Sequence, residues 1–295
     1  MLPRSKHIIG NGKSIARSRK EGNMENWKKA YYAENPYKVE TSQNGKKYVT
    51  FESVRDDQLN FSLENSKVGK VLGFNFPIHY TCNHACECYK KGKCYGCTGC
   101  YNFMCNQALY SENLAYFFHH TEREFVDTVN AKIIETGYNM FRWFEIGDIF
   151  SYTFFRDVMV KVALENENIR FWSYTKKYDI VNRFIEDGGV IPENLTIVFS
   201  HWLNEDGTYF PMNNPYNMPT SEFIPIGKEE LTENVTHICP CSDPDVVATC
   251  ATCEHPCYKL ERGQSMALLE HSTKETRKRD KAVKAAHDRI KKGLA

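Results

Sequence analysis

The 295-residue sequence predicts an α/β protein: a parallel (β/α) partial barrel or open sheet, with a cysteine-rich metal-binding loop and a small C-terminal cysteine-rich segment. Three observations predict it. Short apolar runs alternate with longer helical patterns, hairpin signals between them are few, and all twelve cysteines fall in two windows, 82–105 and 239–257. Strands alternating with helices imply parallel pairing through crossovers.

The elements follow in order. In 71–80 (VLGFNFPIHY), Leu72, Phe74, Phe76, Ile78 and Tyr80 recur at period two and predict the first strand, although Pro77 cannot donate to a ladder. Residues 113–136 predict a helix, with Leu114, Phe117, Phe118, Phe125, Val129 and Ile133 at helical spacing and Gly137 at its end. Then come a strand at 140–147, a helix at 153–165, a strand at 169–175, a helix at 178–187 closed by Gly188 and Gly189, and a strand at 195–202. Residues 203–220 are turn-rich and read as a long loop. Further strands are expected at 222–227, 234–239 and 265–271, and a surface helix at 276–292. The expected organisation is an N-terminal extension 1–69, an α/β core 70–235, a cysteine-rich segment 236–272 and a basic helical tail 273–295.

The net charge of +1 hides an asymmetry: residues 1–29 and 274–292 each carry +6, leaving −11 on the body between them. Basic ends are either solvated or make phosphate contacts to nucleic acid; the acidic body argues against a broad basic face. The start has no continuous apolar stretch of the signal-peptide kind, and no run approaches the ~18 apolar residues that span a bilayer. A cytoplasmic protein without membrane contact is expected. Thiols bunched on a chain long enough to build a core read as metal ligands rather than staples. The absence from the sequence of a Walker loop, HExxH, Gly-x-Ser-x-Gly or dinucleotide fingerprint disfavours those enzyme classes.

Ligands of parallel α/β sheets bind at the carboxyl ends of the strands. The loop after the first predicted strand opens at Cys82, and the second strand ends in Gly147-Asp148. The third ends in Tyr174-Thr175-Lys176 and the fourth in Ser200-His201-Trp202. Thiols, a carboxylate, a lysine and a histidine should therefore share one rim. Bland alternatives stand beside this: Asp148 as a helix N-cap, Lys176 and Lys177 as a solvated pair, His201 satisfying loop backbone, and His119-His120 as an exposed helix face. Arg142 is expected to pair with an acid in the interior; Glu145 lies on the same strand.

The first window reads Cys82-x3-Cys86-x-Cys88-x5-Cys94-x2-Cys97-x2-Cys100-x4-Cys105. Soft thiolates select zinc, copper(I) or iron–sulfur clusters, and x2 gaps let two sulfurs reach one centre from one turn. The second reads Cys239-Pro240-Cys241-x8-Cys250-x2-Cys253-x3-Cys257, with Cys239, Cys250, Cys253 and Cys257 as candidate ligands and His237 and His255 as substitutes. It suits a zinc knuckle or an auxiliary iron–sulfur cluster.

Several stretches resemble the bacteriophage family named gene product eighty-eight: Thr81-Cys82, Cys97-x2-Cys100-Tyr101, Phe141-Arg142-x4-Gly147-Asp148 and Ile169-Arg170-Phe171-Trp172-x-Tyr174-Thr175-Lys176. The closing Cys-Pro, Cys-x2-Cys and Glu270-His271 pattern is similar too, so the resemblance runs from about residue 70 to 272. Phe144 stands where the family often has histidine. The resemblance points to Cys82, Cys97 and Cys100 as ligands. A wider resemblance is to radical S-adenosylmethionine (SAM) enzymes, which place a cysteine loop after the first barrel strand and a Gly-Glu type motif after the second. It implies a 4Fe-4S cluster, SAM beside Gly147, Asp148, Thr175 and Lys176, an external reductant and an unidentified substrate. The usual triad with gaps of three and two is absent from the sequence, since Tyr89 stands where its third cysteine would follow Cys82 and Cys86. The competing expectation is a zinc-stabilised protein, binding nucleic acid or serving a phage accessory role in the host cytoplasm without catalysis.

Overall fold

A computed structural model describes residues 26–64, 68–225, 235–240 and 248–270. The described part begins with a helix, α1 (Asn26–Glu34), and a two-stranded antiparallel hairpin, β1 (Val39–Thr41) with β2 (Lys47–Val49). An eight-stranded sheet follows. Its strands are β3 (Phe61–Ser62), β4 (Leu72–Phe74), β5 (Met140–Trp143), β6 (Arg170–Thr175), β7 (Leu195–Trp202), β8 (Thr220–Ile224), β9 (Val235–Ile238) and β10 (Ser265–Leu269). They lie in the order β3-β4-β5-β6-β7-β8-β10-β9, a line with two edges, so the sheet is open. Only the β3–β4 pair is antiparallel; the other six pairings are parallel.

From β4 to β8 the spatial order follows the sequence. The described helices that connect successive parallel strands all pack on one face, as crossovers of a single hand require. That face carries the main core: Phe74, Phe141, Trp143, Phe171, Ile197 and Phe199 of the strands meet Phe125, Val129, Phe154, Val162 and Val181 of the helices. Side chains of opposite parity (Met140, Trp172, Tyr174, Val198, Met266) point to the other face, where the C-terminal cysteine segment packs on them.

The helical layer comprises α4 (Met104–His119), α5 (Glu122–Thr136), a π-helical turn (Phe154–Met159) running into α6 (Val160–Glu165), and α7 (Tyr178–Glu186). Two short helices precede them, α2 (Ile78–Thr81) and α3 (Glu87–Lys90).

Several expectations need correction. The strand expected over 71–80 stops at Phe74; Pro77, lacking an N–H, instead leads into α2. The strand expected over 140–147 ends at Trp143, because Phe144 takes a left-handed φ of 59° and bends the chain away. The single helix expected over 113–136 is two, broken before Thr121, whose side chain forms a capping box with Glu124. The break shifts the helical phase, and Phe118, expected in the core, is exposed. Strand β7 has the expected bounds, and β6 and α7 fall within one residue of theirs. The expected helix 276–292, most of the basic N-terminal stretch, Cys241 and His271 lie outside the described residues.

Candidate metal centres

The described cysteines are all free thiols. Their placement follows from the parity of the strands. On β6, Trp172 and Tyr174 share the inner face, and Lys176 continues that row past the strand end. Each of the three meets a cysteine set.

The C-terminal set is built around Trp172 and Tyr174. Cys239, Cys250, Cys253 and Cys257 line one small cavity, with His255, Trp172, Tyr258 and Met266 among its walls. The Tyr174 hydroxyl donates to Cys257 Sγ at 2.7 Å, and the Arg142 guanidinium lies 5.4 Å from the centre of the Tyr174 ring. Thr196 of β7 donates to the Tyr258 carbonyl at 2.8 Å and so pins the segment to the sheet. Burial, reinforced by Cys239, pushes the Cys257 thiol up to about 12. The His237 and His255 rings lie 5.3 Å apart.

The rim set sits on the loop that leaves α2. Asn83 Nδ2 donates to the Lys176 carbonyl at 3.3 Å, and Asn44 of the N-terminal hairpin turn donates to the Tyr89 carbonyl at 2.7 Å. Glu87 accepts from the Glu205 N–H at 2.8 Å, while Lys91 and Lys93 both pair with Glu205, tying the loop to the β7–β8 connection. Cys86 and Cys88 are buried against Trp202, which stacks on Phe223 at 3.9 Å. Cys82, Cys94 and Cys97 pack around Ile78 and Ile146. Burial holds the Cys82 thiol well above its ordinary range; the Cys86 thiol beside Cys88 brings the latter down to about 7.

At the carboxyl ends of β5, β6 and β7, hydrogen bonds link Asp148, Thr175, Lys176 and Ser200, with Asn83 of the cysteine loop on the Lys176 carbonyl. Both oxygens of buried Asp148 are engaged: Oδ1 accepts from Thr175 Oγ1 at 2.6 Å and from Ile149 N–H at 2.7 Å, and Oδ2 accepts from Lys176 N–H at 2.9 Å. Burial raises this carboxyl's pKa against the pull of those bonds. Asp148 thus fastens the loops after β5 and β6 together rather than capping a helix. Lys176 is half-buried, not a solvated partner of Lys177: its Nζ donates to Ser200 Oγ at 3.0 Å and lies 5.4 Å from the Trp202 ring centre. Burial would depress its ammonium, but Cys88, Cys86 and Asp148 hold it raised. Gly147 has φ +90°, and a Cβ there would stand 2.6 Å from the Phe76 carbonyl oxygen, so glycine alone fits the turn. Cys100 is exposed on a short 3-10 turn (Gly99–Asn102). His201 stacks on Tyr209 of the β7–β8 connection, with ring centres 4.0 Å apart. Glu145 accepts from the Tyr101 hydroxyl at 3.2 Å.

Among the described residues, no three histidine, cysteine or carboxylate donors gather around the position of a single ion. The chemistry of the C-terminal donor set, four soft thiols lining one cavity, does fit an iron–sulfur or other soft-metal centre. Sequence reasoning passed over Tyr174 and Trp172 as site residues and left Cys88 and Cys94 unassigned. The signal for the first two was the period-two row Trp172, Tyr174, Lys176, which leads straight to the rim.

A largely parallel open sheet with thiols at its carboxyl rim and on its inner face defines a cysteine-rich α/β protein. The family model described as Gene product 88 matches residues 39–209, and the chain belongs to that family. The match takes in β1 to β7 and the whole rim loop, and ends before the C-terminal cysteines. No curated protein and no solved structure matches the chain. Among the described residues, no helix is long and apolar enough to cross a membrane.

Proposed function

We propose that the chain is an iron–sulfur protein whose redox chemistry takes place at the carboxyl rim of the sheet. The observation that carries this reading is the cavity lined by Cys239, Cys250, Cys253 and Cys257, on the same sheet face as Lys176 and Trp202. Those four thiols would hold one centre, and loop thiols including Cys82 and Cys97 a second. A bound iron–sulfur cluster supplies a one-electron redox centre, with an open coordination site where only three thiolates hold it. The chain's own groups do the rest. Tyr174 donates a hydrogen bond to a ligand sulfur, Lys176 brings positive charge to the thiol-rich loop, and Trp172 and Tyr258 wall the cavity against water.

The finer reading is SAM-type chemistry with an external reductant. Gly147-Asp148 follows the second parallel strand at the rim, and the three hydrogen bonds Asp148 accepts leave a carboxylate roughly one of its four acceptor positions for a ligand amine. A zinc reading of the C-terminal set is favoured by the closeness of His237 and His255, which would complete a mixed donor set.

Purification without oxygen, followed by iron, zinc and acid-labile sulfide analysis, tests the proposal. Iron and sulfide in comparable amounts with broad visible absorption are expected, and SAM cleavage after reduction would establish the finer reading. A colourless protein containing zinc alone would overturn the iron–sulfur reading.

A further inference from the structure

Just past the end of β6, Lys176 Nζ reaches across to β7 and donates to Ser200 Oγ at 3.0 Å. Parity puts Ser200 on the same face as Val198 and Trp202, and the register of β7 with β8 sets Ser221 directly beside it. Ser221 is in turn the register partner of Met266, a wall of the C-terminal cavity. A polar row therefore runs from the rim toward that cavity: an ammonium, then two hydroxyls. Its ends differ in access, since Lys176 and Ser200 are half-buried whereas Ser221 is 1% exposed. The Tyr178 hydroxyl donates to the Ser200 carbonyl at 2.6 Å and holds that part of β7 in place. Trp202, stacked on Phe223, walls the row, with the Lys176 ammonium 5.4 Å from its ring centre.

The hydrogen-bonding capacity of this row is largely unspent. The Lys176 ammonium has three N–H donors, gives one to Ser200 and, among the described residues, forms no ion pair. The nearby carboxylate, Asp148, spends its oxygens on Thr175 and on the backbone N–H groups of Ile149 and Lys176. Ser200 Oγ accepts from Lys176, so its own O–H is still to donate. Ser221 Oγ is buried with no hydrogen-bond partner among the described residues, which costs free energy until something accepts its proton. Neighbouring strands lie about 4.8 Å apart, so one bound oxyanion can reach the cation and both hydroxyls. We propose that Lys176, Ser200 and Ser221 form a binding site for the oxyanion group of a small-molecule ligand, a carboxylate or a phosphate. The site lies at the carboxyl ends of β6, β7 and β8, where ligands of parallel α/β sheets bind. Nothing in it requires a metal, so it stands whether or not the thiols hold iron.

The test uses the full-length protein purified without oxygen, with inorganic phosphate and acetate as probes in low-chloride buffer. Calorimetric titration should show saturable binding of a single anion per chain, and the melting temperature should rise with its concentration. Binding of phosphate alone would assign a phosphate ligand and binding of acetate alone a carboxylate; either supports the site. Lys176→Met should abolish binding, whereas Lys177→Met, which removes the same charge from the next residue, should keep it. Ser221→Ala should weaken binding about tenfold. Without anion it should melt no lower than wild type, because it deletes a hydroxyl that lacked a partner. Should Lys176→Met not fold, the Ser221→Ala titration decides. Failure of both probes to bind, or equal losses in Lys176→Met and Lys177→Met, would overturn the site and leave the iron–sulfur reading intact. So would a Ser221→Ala protein that binds as wild type does or melts lower without anion.

Discussion

Burial sets the chemistry of His79, on the turn from the first parallel strand into the cysteine loop. It is 6% exposed, its Nδ1 lies 3.0 Å from the Tyr89 hydroxyl, and its ring stacks on Tyr48 at 4.6 Å between centres. Burial, helped by nearby His84, lowers its pKa from 6.5 to about 4. The unfolded chain then takes up a proton below about pH 6.5, whereas the native chain resists protonation until about pH 4. The contribution to stability is complete above the upper value and is lost as the pH falls through the interval, by about 3 kcal/mol at most. Urea unfolding near pH 7 and near pH 4.5 should reveal much of that loss. His79→Phe, which keeps a stacking ring and removes the titration, should flatten the pH dependence; an unchanged slope would place the acid sensitivity elsewhere. At the same scale, Gly147 was legible as part of a Gly-Asp pair at a strand end. Its backbone reason, the approach to the Phe76 carbonyl, was not, because that contact joins residues seventy-one apart in sequence.

Helices and strands differ in how well their boundaries can be read. Strands β6 and β7 are central and packed on both faces, so their apolar runs are nearly continuous and their limits stand out. The hairpin and β3 are two or three residues long and mostly exposed or half-buried, leaving no pattern to detect. The α4–α5 break is the opposite case. Thr121-x-x-Glu124 is a capping-box signature plainly present in the sequence. Apolar residues on both sides of it continue a helical rhythm, and that rhythm masks it. In the structure Thr121 Oγ1 accepts from Glu124 N–H at 3.2 Å, and Glu124 accepts from Thr121 N–H at 2.8 Å. Thr121→Ala removes the side-chain half of the box and should destabilise the protein by about 1 kcal/mol. Thr121→Ser should recover most of that loss in the same melts. An alanine variant as stable as wild type would mean that packing of Phe125 and Val129, rather than the cap, fixes where α5 begins.

At the scale of the whole molecule, the sheet separates two jobs: helices cover one face, and the thiols occupy the rim and the other face. The division of the cysteines into two windows was legible from composition, but the packing of the second window on the sheet face away from the helices was not. It depends on β10 inserting between β8 and β9, a long-range pairing that no local pattern announces. The N-terminal helix was equally hidden, since the contacts that join it to the core, a buried ion pair and the packing and hydrogen bonding of Tyr32 among them, link residues far apart in sequence. Lys28 and Glu112, each 1% exposed, meet at 2.5 Å; Tyr32 donates to the same carboxylate at 2.7 Å and Asn60 at 2.8 Å. This network joins α1, the residue preceding edge strand β3, and α4, and α4 in turn carries Cys105 at the end of the rim loop. A buried pair contributes little net stability over an apolar replacement, but removing one partner strands the other charge. Lys28→Met should therefore cost about 3 kcal/mol or more, while Lys28→Met with Glu112→Leu should recover a large part of it. Thermal melts of the single and double variants measure the coupling. If the double variant is as unstable as the single, the clip works through shape and the Asn60 and Tyr32 bonds rather than through charge, and α1 is held to the core by packing.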